Sequence, residues 1–236
     1  MADKWSVVIV AAGRGSRMGT KESKQYLMLA DKPVIVHTLE LFQRMELAEE
    51  IVLVVGSGDV ERCREWVASY GLHKVTRVLA GGKERQQSVL IGLRAASLDW
   101  VMVHDGVRPL VSEAAVSACC RVAAATGAAV LAVPVKDTIK QVDEAGVIVS
   151  TPDRASLRAI QTPQAFRREL LLEAHEKAEA EGFLGTDDAM VAERYGAAVA
   201  VAEGEYSNIK ITTPDDLPLA EIWLAQRRGA EAGRGS

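Results

Sequence analysis

Cysteine and histidine are scarce in this chain, and their scarcity narrows its chemistry. The 236 residues hold three cysteines, Cys63, Cys119 and Cys120. That is an odd number with no CxxC pair, so neither a disulfide framework nor a thiolate zinc site is indicated. The four histidines, His37, His73, His104 and His175, show no metal-ligand spacing. A basic excess is also missing. The 28 Lys and Arg against 32 Asp and Glu give a net charge of −4, the opposite of what a duplex-DNA binder shows. Long hydrophobic runs are absent too. The stretch from Val122 to Val135 is broken by Thr126, Gly127 and Pro134 and is too short to span a bilayer. Trp5 to Ala12 has the apolar look of a signal-peptide core. Asp3 offsets Lys4, however, and cleavage behind this run would cut into a glycine-rich segment. The expectation is a cytoplasmic α/β protein with neither a nucleic-acid nor a membrane partner.

What is present is an ordinary globular composition, 48% hydrophobic and 25% charged, which supports a sizeable core. Short apolar runs alternate with helical patterns, the signature of βαβ units around a parallel sheet. The strand-like runs are Trp5–Val10, Ile51–Val55, Val75–Leu79, Trp100–His104 and Ala129–Val133. Between them, Pro33 suits a first helical position, and Ile35, Leu39, Phe42 and Met45 recur at helical spacing. Val60, Cys63, Val67 and Tyr70 form a second stripe after Ser57-Gly58. Ser112 suits the N-cap of an alanine-rich helix reaching Thr126.

The alternation stops after Val135. Thr138–Val142 and Val147–Thr151 flank Asp143-Glu144-Ala145-Gly146 as a β-hairpin. A two-stranded ribbon alone is marginal in water, so it needs a surface to pack on, either a second subunit or its own domain. Thr186 and Thr213 look like caps of two late helices, the second with Pro214 at its first position. The fold expected is a Rossmann-like, mostly parallel sheet with helices on both faces and a protruding hairpin arm for dimerisation. It is read as one unit over 1–228, with the arm at about 137–156 and a flexible tail at 229–236.

The first strand runs into Ala11-Ala12-Gly13-Arg14-Gly15-Ser16-Arg17-Met18-Gly19. A glycine-rich turn there lies at the strand carboxyl ends, where open α/β sheets bind ligands, and its exposed N–H groups suit phosphate oxygens. The spacing is not that of a P-loop, and Met18 stands where a dinucleotide fingerprint wants its third glycine. The loop is cationic instead. Arg14, Arg17, Lys21 and Lys24 against Glu22 leave +3 in a chain that is negative overall. One such cation would suit an ordinary solvated loop. Four behind a glycine run suit a nucleoside triphosphate, because each close opposite-charge pair contributes on the order of 4 kcal/mol before desolvation at an effective dielectric near 20.

The pattern AAGxGxRM followed by Lys24-Gln25-Tyr26 resembles the sugar-nucleotide pyrophosphorylase superfamily. Further segments narrow the resemblance: Gly81-Gly82 with Glu84-Arg85 and Ser88, His104-Asp105-Gly106-Val107-Arg108-Pro109, Asp137-Thr138, Asp153-Arg154, Thr162-Pro163-Gln164, Thr186-Asp187 and Asn208-Ile209-Lys210. In this order they resemble the 2-C-methyl-D-erythritol 4-phosphate cytidylyltransferase family, from about Val7 to Leu219. The resemblance implies transfer of CMP from CTP to a polyol phosphate, with Mg²⁺ and a homodimer. It implies Arg17 and Lys24 as catalytic cations. Ala11, Ala12, Gly13, Gly15, Gly82, Ser88 and Asp105 would hold the nucleotide, with Asp105 also beside the metal. Arg108, Thr138, Arg154, Thr162, Thr186 and Lys210 would hold the acceptor, Arg154 arriving on the partner subunit's arm.

The chain departs from the family pattern in places. Val10 stands where some relatives have proline, and Lys83 and Gln87 replace acidic residues. Ser207 precedes Asn208 where other members place an aspartate, which leaves Asp105 as the firmer metal ligand. A ribitol 5-phosphate cytidylyltransferase is the nearest rival on the same scaffold. AAG rather than AGG, and KQY rather than KQF, favour the methylerythritol acceptor. A nicotinamide dehydrogenase would need a helix directly after the glycines, and a non-catalytic nucleotide-binding dimer would need no grip on an acceptor phosphate.

Overall fold

The computed structural model describes residues 3–13 and 22–232. In chain order the elements are β1 (Trp5–Ala11), β2 (Met28–Leu29), β3 (Lys32–Pro33), α1 (Val34–Arg44), β4 (Ala48–Val55), α2 (Val60–Ser69) and β5 (Val75–Ala80). Next come α3 (Arg85–Ala95), β6 (Trp100–Asp105), α4 (Glu113–Thr126), β7 (Ala128–Pro134), β8 (Gln141–Val142) and β9 (Ile148–Ser150). The last are β10 (Arg158–Arg167), α5 (Arg168–Glu181), α6 (Asp188–Arg194), β11 (Ala200–Glu203) and α7 (Asp216–Ala232).

Seven strands form the main sheet in the order β11-β7-β10-β6-β1-β4-β5. The five runs expected as strands are five of its six parallel members, the sixth being β11, which was not expected, and β10 lies antiparallel between β6 and β7. The alternation of β1 explains the layers. Val7 and Ile9 join a cluster with Ile35, Leu39 and Phe42 of α1, Cys63 of α2 and Val116 and Cys119 of α4. Val8 and Val10 point the other way, to Val89 and Leu93 of α3 and Leu171 of α5. A strand covered on both faces by helices reads as the continuous apolar run seen at its start.

The expected caps divide. Ser112 Oγ accepts from the Ala115 N–H at 3.1 Å and starts α4. Thr186 is not a cap: its neighbour Asp187 accepts from the Met190 N–H at 2.8 Å and starts α6. Thr213 is not one either. The Asp216 carboxylate takes the N–H groups of Thr212 and Thr213 at 2.7 and 2.8 Å, which puts Pro214 in a turn ahead of α7. At α6 a carboxylate, the stronger acceptor, has taken the position expected of the hydroxyl, while at α7 Asp216 stands in the first turn and accepts from the residues ahead of it. Pro33 ends β3 and occupies the cap position of α1 instead of its first turn. Gly229 to Ala232 continue α7, so the expected tail begins as helix.

β10 was not among the expected strands because Pro163 interrupts its pattern. The register between β10 and β7 jumps between Ile160 and Gln164, and at such an irregularity a sheet tolerates proline. The hairpin expected near 143–146 is present as β8 and β9, with Asp143 Oδ1 accepting from the N–H groups of Ala145 and Val147. Every residue from 136 to 151 is exposed, so the ribbon does not fold back on its own chain. No helix among the described residues is long and apolar enough to cross a membrane.

α3 crosses β1 and β4 at Gly92, where a Cβ would lie 2.3 Å from Val8 Cγ1. Gly92→Ala would therefore lower the unfolding free energy by about 1–3 kcal/mol through overpacking, outweighing alanine's helix advantage of roughly 0.5–1 kcal/mol. Denaturant unfolding checks this, and equal or higher stability would show that α3 can move off the sheet.

Candidate active site at the strand carboxyl ends

β1 and β6 end side by side, and the site begins in the residues that follow them. Beyond β1, Ala11, Ala12 and Gly13 line a cleft of about 650 Å³ together with Lys24, Gly82, Arg85, Ser88, Asp105 and Lys210. The buried Gln25 holds this turn in place, its side-chain amide donating to the carbonyls of Ala11 (2.8 Å) and Gly13 (3.1 Å). Across the cleft Gly81 approaches so closely that a Cβ there would meet Ala12 Cβ at 2.5 Å. Ser88 Oγ accepts from the Gly82 N–H at 3.2 Å and donates to the Glu84 carbonyl at 3.2 Å. Ser88 thus shapes the Gly81-Gly82 turn. Gly15 and Arg17 lie outside the described residues.

Asp105 ends β6 and is 5% exposed. Arg85 Nε reaches its Oδ1 at 3.2 Å, and Lys210 Nζ and Arg108 Nε approach its Oδ2 at 2.8 and 3.7 Å. Burial alone would raise the carboxyl's pKa. The three cations outweigh it and hold Asp105 ionised far below the usual carboxylate range. Arg108 also donates to the Asn208 carbonyl at 2.7 Å, which ties the β6 loop to the segment bearing Lys210.

Behind Asp105 a buried chain fixes its backbone. Its N–H donates to Thr162 Oγ1 at 3.1 Å, Thr162 Oγ1 lies 3.1 Å from His104 Nδ1, and His104 Nε2 lies 3.0 Å from the Arg108 carbonyl. A carbonyl only accepts, so Nε2 carries the ring proton and Nδ1 accepts from the threonine. Burial pushes the His104 pKa down to about 4, in keeping with this neutral tautomer. The Thr162 hydroxyl is thereby engaged on the strand end and its neighbours.

A second cavity, about 420 Å³, is lined by Arg85, Asp105, Arg108, Thr162, Thr186 and Lys210 among others. Arg85, Asp105 and Lys210 line both cavities and form the wall between them. The structure thus brings together Ala11, Ala12, Gly13, Lys24, Gly82, Ser88, Asp105, Arg108, Thr162, Thr186 and Lys210. Thr138 and Arg154 line neither cavity. Both are exposed on the arm side, where Arg154 donates to the Lys136 carbonyl at 2.8 Å. Ser207 Oγ lies 3.5 Å from Arg227 Nη2, with no carboxylate at that position to add to Asp105.

Arg85 stands out in the structure but not in the sequence, where it is only the second residue of Glu84-Arg85. The signal was there in Glu84 and Gln87, whose reciprocal capping box fixes Arg85 as the first residue of α3. Gln25 is likewise only the middle residue of Lys24-Gln25-Tyr26.

Comparisons with known proteins point to one family. The family model described as 2-C-methyl-D-erythritol 4-phosphate cytidylyltransferase matches residues 5–226. A protein of that name from Geotalea uraniireducens is 48% identical over 224 residues, covering 93% of this chain and 96% of the relative. One from Alkaliphilus metalliredigens is 46% identical over 98% of this chain and 97% of its own length. Among solved structures, the 4-diphosphocytidyl-2C-methyl-D-erythritol synthase of Anaerococcus prevotii superposes with a TM-score of 0.82 at 33% identity, over 94% of this chain and 96% of that one. The 2-C-methyl-D-erythritol 4-phosphate cytidylyltransferase of Thermus thermophilus gives 0.77 at 35% identity, over 93% and 98%. A match running from the first strand into the last helix, over relatives of nearly the same length, means that the chain belongs to the 2-C-methyl-D-erythritol 4-phosphate cytidylyltransferase family.

Proposed function

We propose that the protein transfers the cytidylyl group of CTP to 2-C-methyl-D-erythritol 4-phosphate, releasing pyrophosphate. A phosphate oxygen of the acceptor attacks the α-phosphorus of CTP, and the bond from that phosphorus to the leaving pyrophosphate breaks. The observation that carries this reading is the pair of cavities sharing Arg85, Asp105 and Lys210 as their common wall. Two anionic substrates meeting there find cations on both sides. The nucleophile is already ionised near neutral pH, so no general base is required, and catalysis reduces to positioning and charge stabilisation.

In this reading the larger cleft takes the nucleotide, with Lys24 and Arg17 on its triphosphate and Gly82 and Ser88 shaping the base and ribose end. Arg108, Thr162, Thr186 and Lys210 face the acceptor. The donor set also fits Mg²⁺. Asp105 is the acidic side chain on the wall shared by both cavities, with Glu84 lining only the larger and Asp187 only the smaller, and no group of three or more His, Cys, Asp or Glu gathers among the described residues. Such a set suits an ion that takes its remaining oxygens from substrate phosphates. When bound, the ion would neutralise charge building on the transferring phosphoryl oxygens.

Thr138 and Arg154 would act on a second subunit. The arm exposes Ile139, Val142, Val147, Ile148 and Val149, each at least 41% accessible, which suits burial in a homodimer. The catalytic unit would span 1–228, and the three cysteines, all free and buried, suit the reducing cytoplasm.

Pyrophosphate release with Mg²⁺ tests the reaction, offering CTP, UTP, ATP and GTP with methylerythritol phosphate and with ribitol 5-phosphate. Turnover is expected with CTP and methylerythritol phosphate; turnover with ribitol phosphate alone would overturn the acceptor assignment. Lys24→Ala should lower kcat by about 10² or more, the scale of a lost charge-stabilising donor, and near-normal turnover would remove Lys24 from its role. Arg154→Ala should raise the acceptor KM or cut kcat while leaving CTP binding nearly intact. Unchanged acceptor kinetics would place the phosphate grip elsewhere.

A further inference from the structure

Asp188 is the most deeply buried carboxylate near the site, 0% exposed, yet it lines neither cavity. It is the first residue of α6 and lies 103 residues along the chain from Arg85, whose Nη2 it accepts at 2.8 Å. Arg85 therefore spans two carboxylates, with Nε on Asp105 and Nη2 on Asp188. Burial works against the charged forms of both Arg85 and Asp188. Their mutual attraction prevails, so that Arg85 titrates above its ordinary range and Asp188 below its own.

The framework around Asp188 is built to hold it still. Gln164 Oε1 on β10 accepts the N–H groups of Asp188 and Ala189 at 3.1 and 3.0 Å, while its amide donates to Asp187 at 2.9 Å. Gln86, the neighbour of Arg85 on α3, donates to the Phe183 carbonyl and accepts from the Gly185 N–H, fixing the loop into α6. Behind Asp188, the buried His175 brings Nε2 to 3.2 Å from Oδ1, without the alignment of a hydrogen bond. A guanidinium is a rigid fork, so seating Nη2 on Asp188 dictates where Nε points.

We propose that Asp188 is a positioning residue for cytidylyl transfer, anchoring Arg85 so that its guanidinium braces one oxygen of Asp105 and leaves the other to Lys210 and the substrates. The proposal rests on the transfer reaction above and adds to it a residue that touches no substrate. Asp188→Asn keeps the volume but removes the negative charge that faces Arg85. Arg85→Met removes the guanidinium that the anchor serves.

The test is a double-mutant cycle with D188N, R85M and the pair, read by kcat, the KM for each substrate and thermal unfolding. D188N should remain folded with kcat lowered about tenfold or more, the lower end of what losing a supporting partner costs, and with a smaller change in the KM for CTP. In the R85M background D188N should cost less than about twofold, because the two act as one unit. R85M strands a buried carboxylate, so the double variant should unfold at a higher temperature than R85M alone. A kcat within about twofold of the parent in folded D188N, or equal losses in both backgrounds, would overturn the proposal. An inactive parent would overturn the reaction itself, while the unfolding temperatures would still read whether Arg85 and Asp188 are coupled.

Discussion

A carboxylate at the end of a buried strand is tolerated only if its charge is matched. The constraint at Asp105 organises the candidate site. Three cations from three separate segments converge on it: Arg85 from α3, Arg108 from the loop after β6, and Lys210 from the segment after β11. Removing any one partner of a buried ion cluster is costly, since the rest remain desolvated. The cluster therefore acts as a clamp on chain connectivity as well as a charge reservoir. The hydrogen bonds behind it, from the Asp105 N–H through Thr162 and His104 to the Arg108 carbonyl, keep the strand end from turning toward solvent.

Much of this was legible in the residues. The parallel strands announced themselves because β1, β4 and β6 are covered on both faces, which leaves the runs 7–11, 51–55 and 100–103 apolar throughout. The glycine-rich pattern after β1 and the motif around Asp105 led to the family. β10 was hidden because its middle carries Gln161, Pro163 and Gln164, residues that argue against a central strand. Tertiary context supplies what they need: Gln161 bonds to the Glu205 backbone, Gln164 to α6, and Pro163 falls where pairing with β7 lapses. At α6 the expected cap lies one residue away for a local reason, the Asp187 carboxylate being a better acceptor than the Thr186 hydroxyl.

The Arg85–Asp188 pair was out of reach for a different reason. Nothing local marks Asp188, which reads as one of two adjacent acids at a helix start. Only the folding of α3 against α5 and α6, with Gln86 and Gln164 stitching the loop between them, brings two side chains so distant in sequence to 2.8 Å. Periodicity reveals which face of an element is buried. It does not reveal which charge on that face will meet which, because that depends on the register of whole elements.

The wall between the two cavities has a thermodynamic corollary. Arg85, Asp105 and Lys210 present themselves to both sides at once, so an anion entering one cavity redraws the field felt in the other. Whatever the first ligand does to the affinity of the second, the second must do to the first by the same factor, since the free energy of the doubly filled state does not depend on the route taken. Two ligands sharing a partition of fixed charges cannot be recognised as strangers. With a ligand in each, the occupancy of one would be felt at the other through these shared charges alone, with no change of the sheet required.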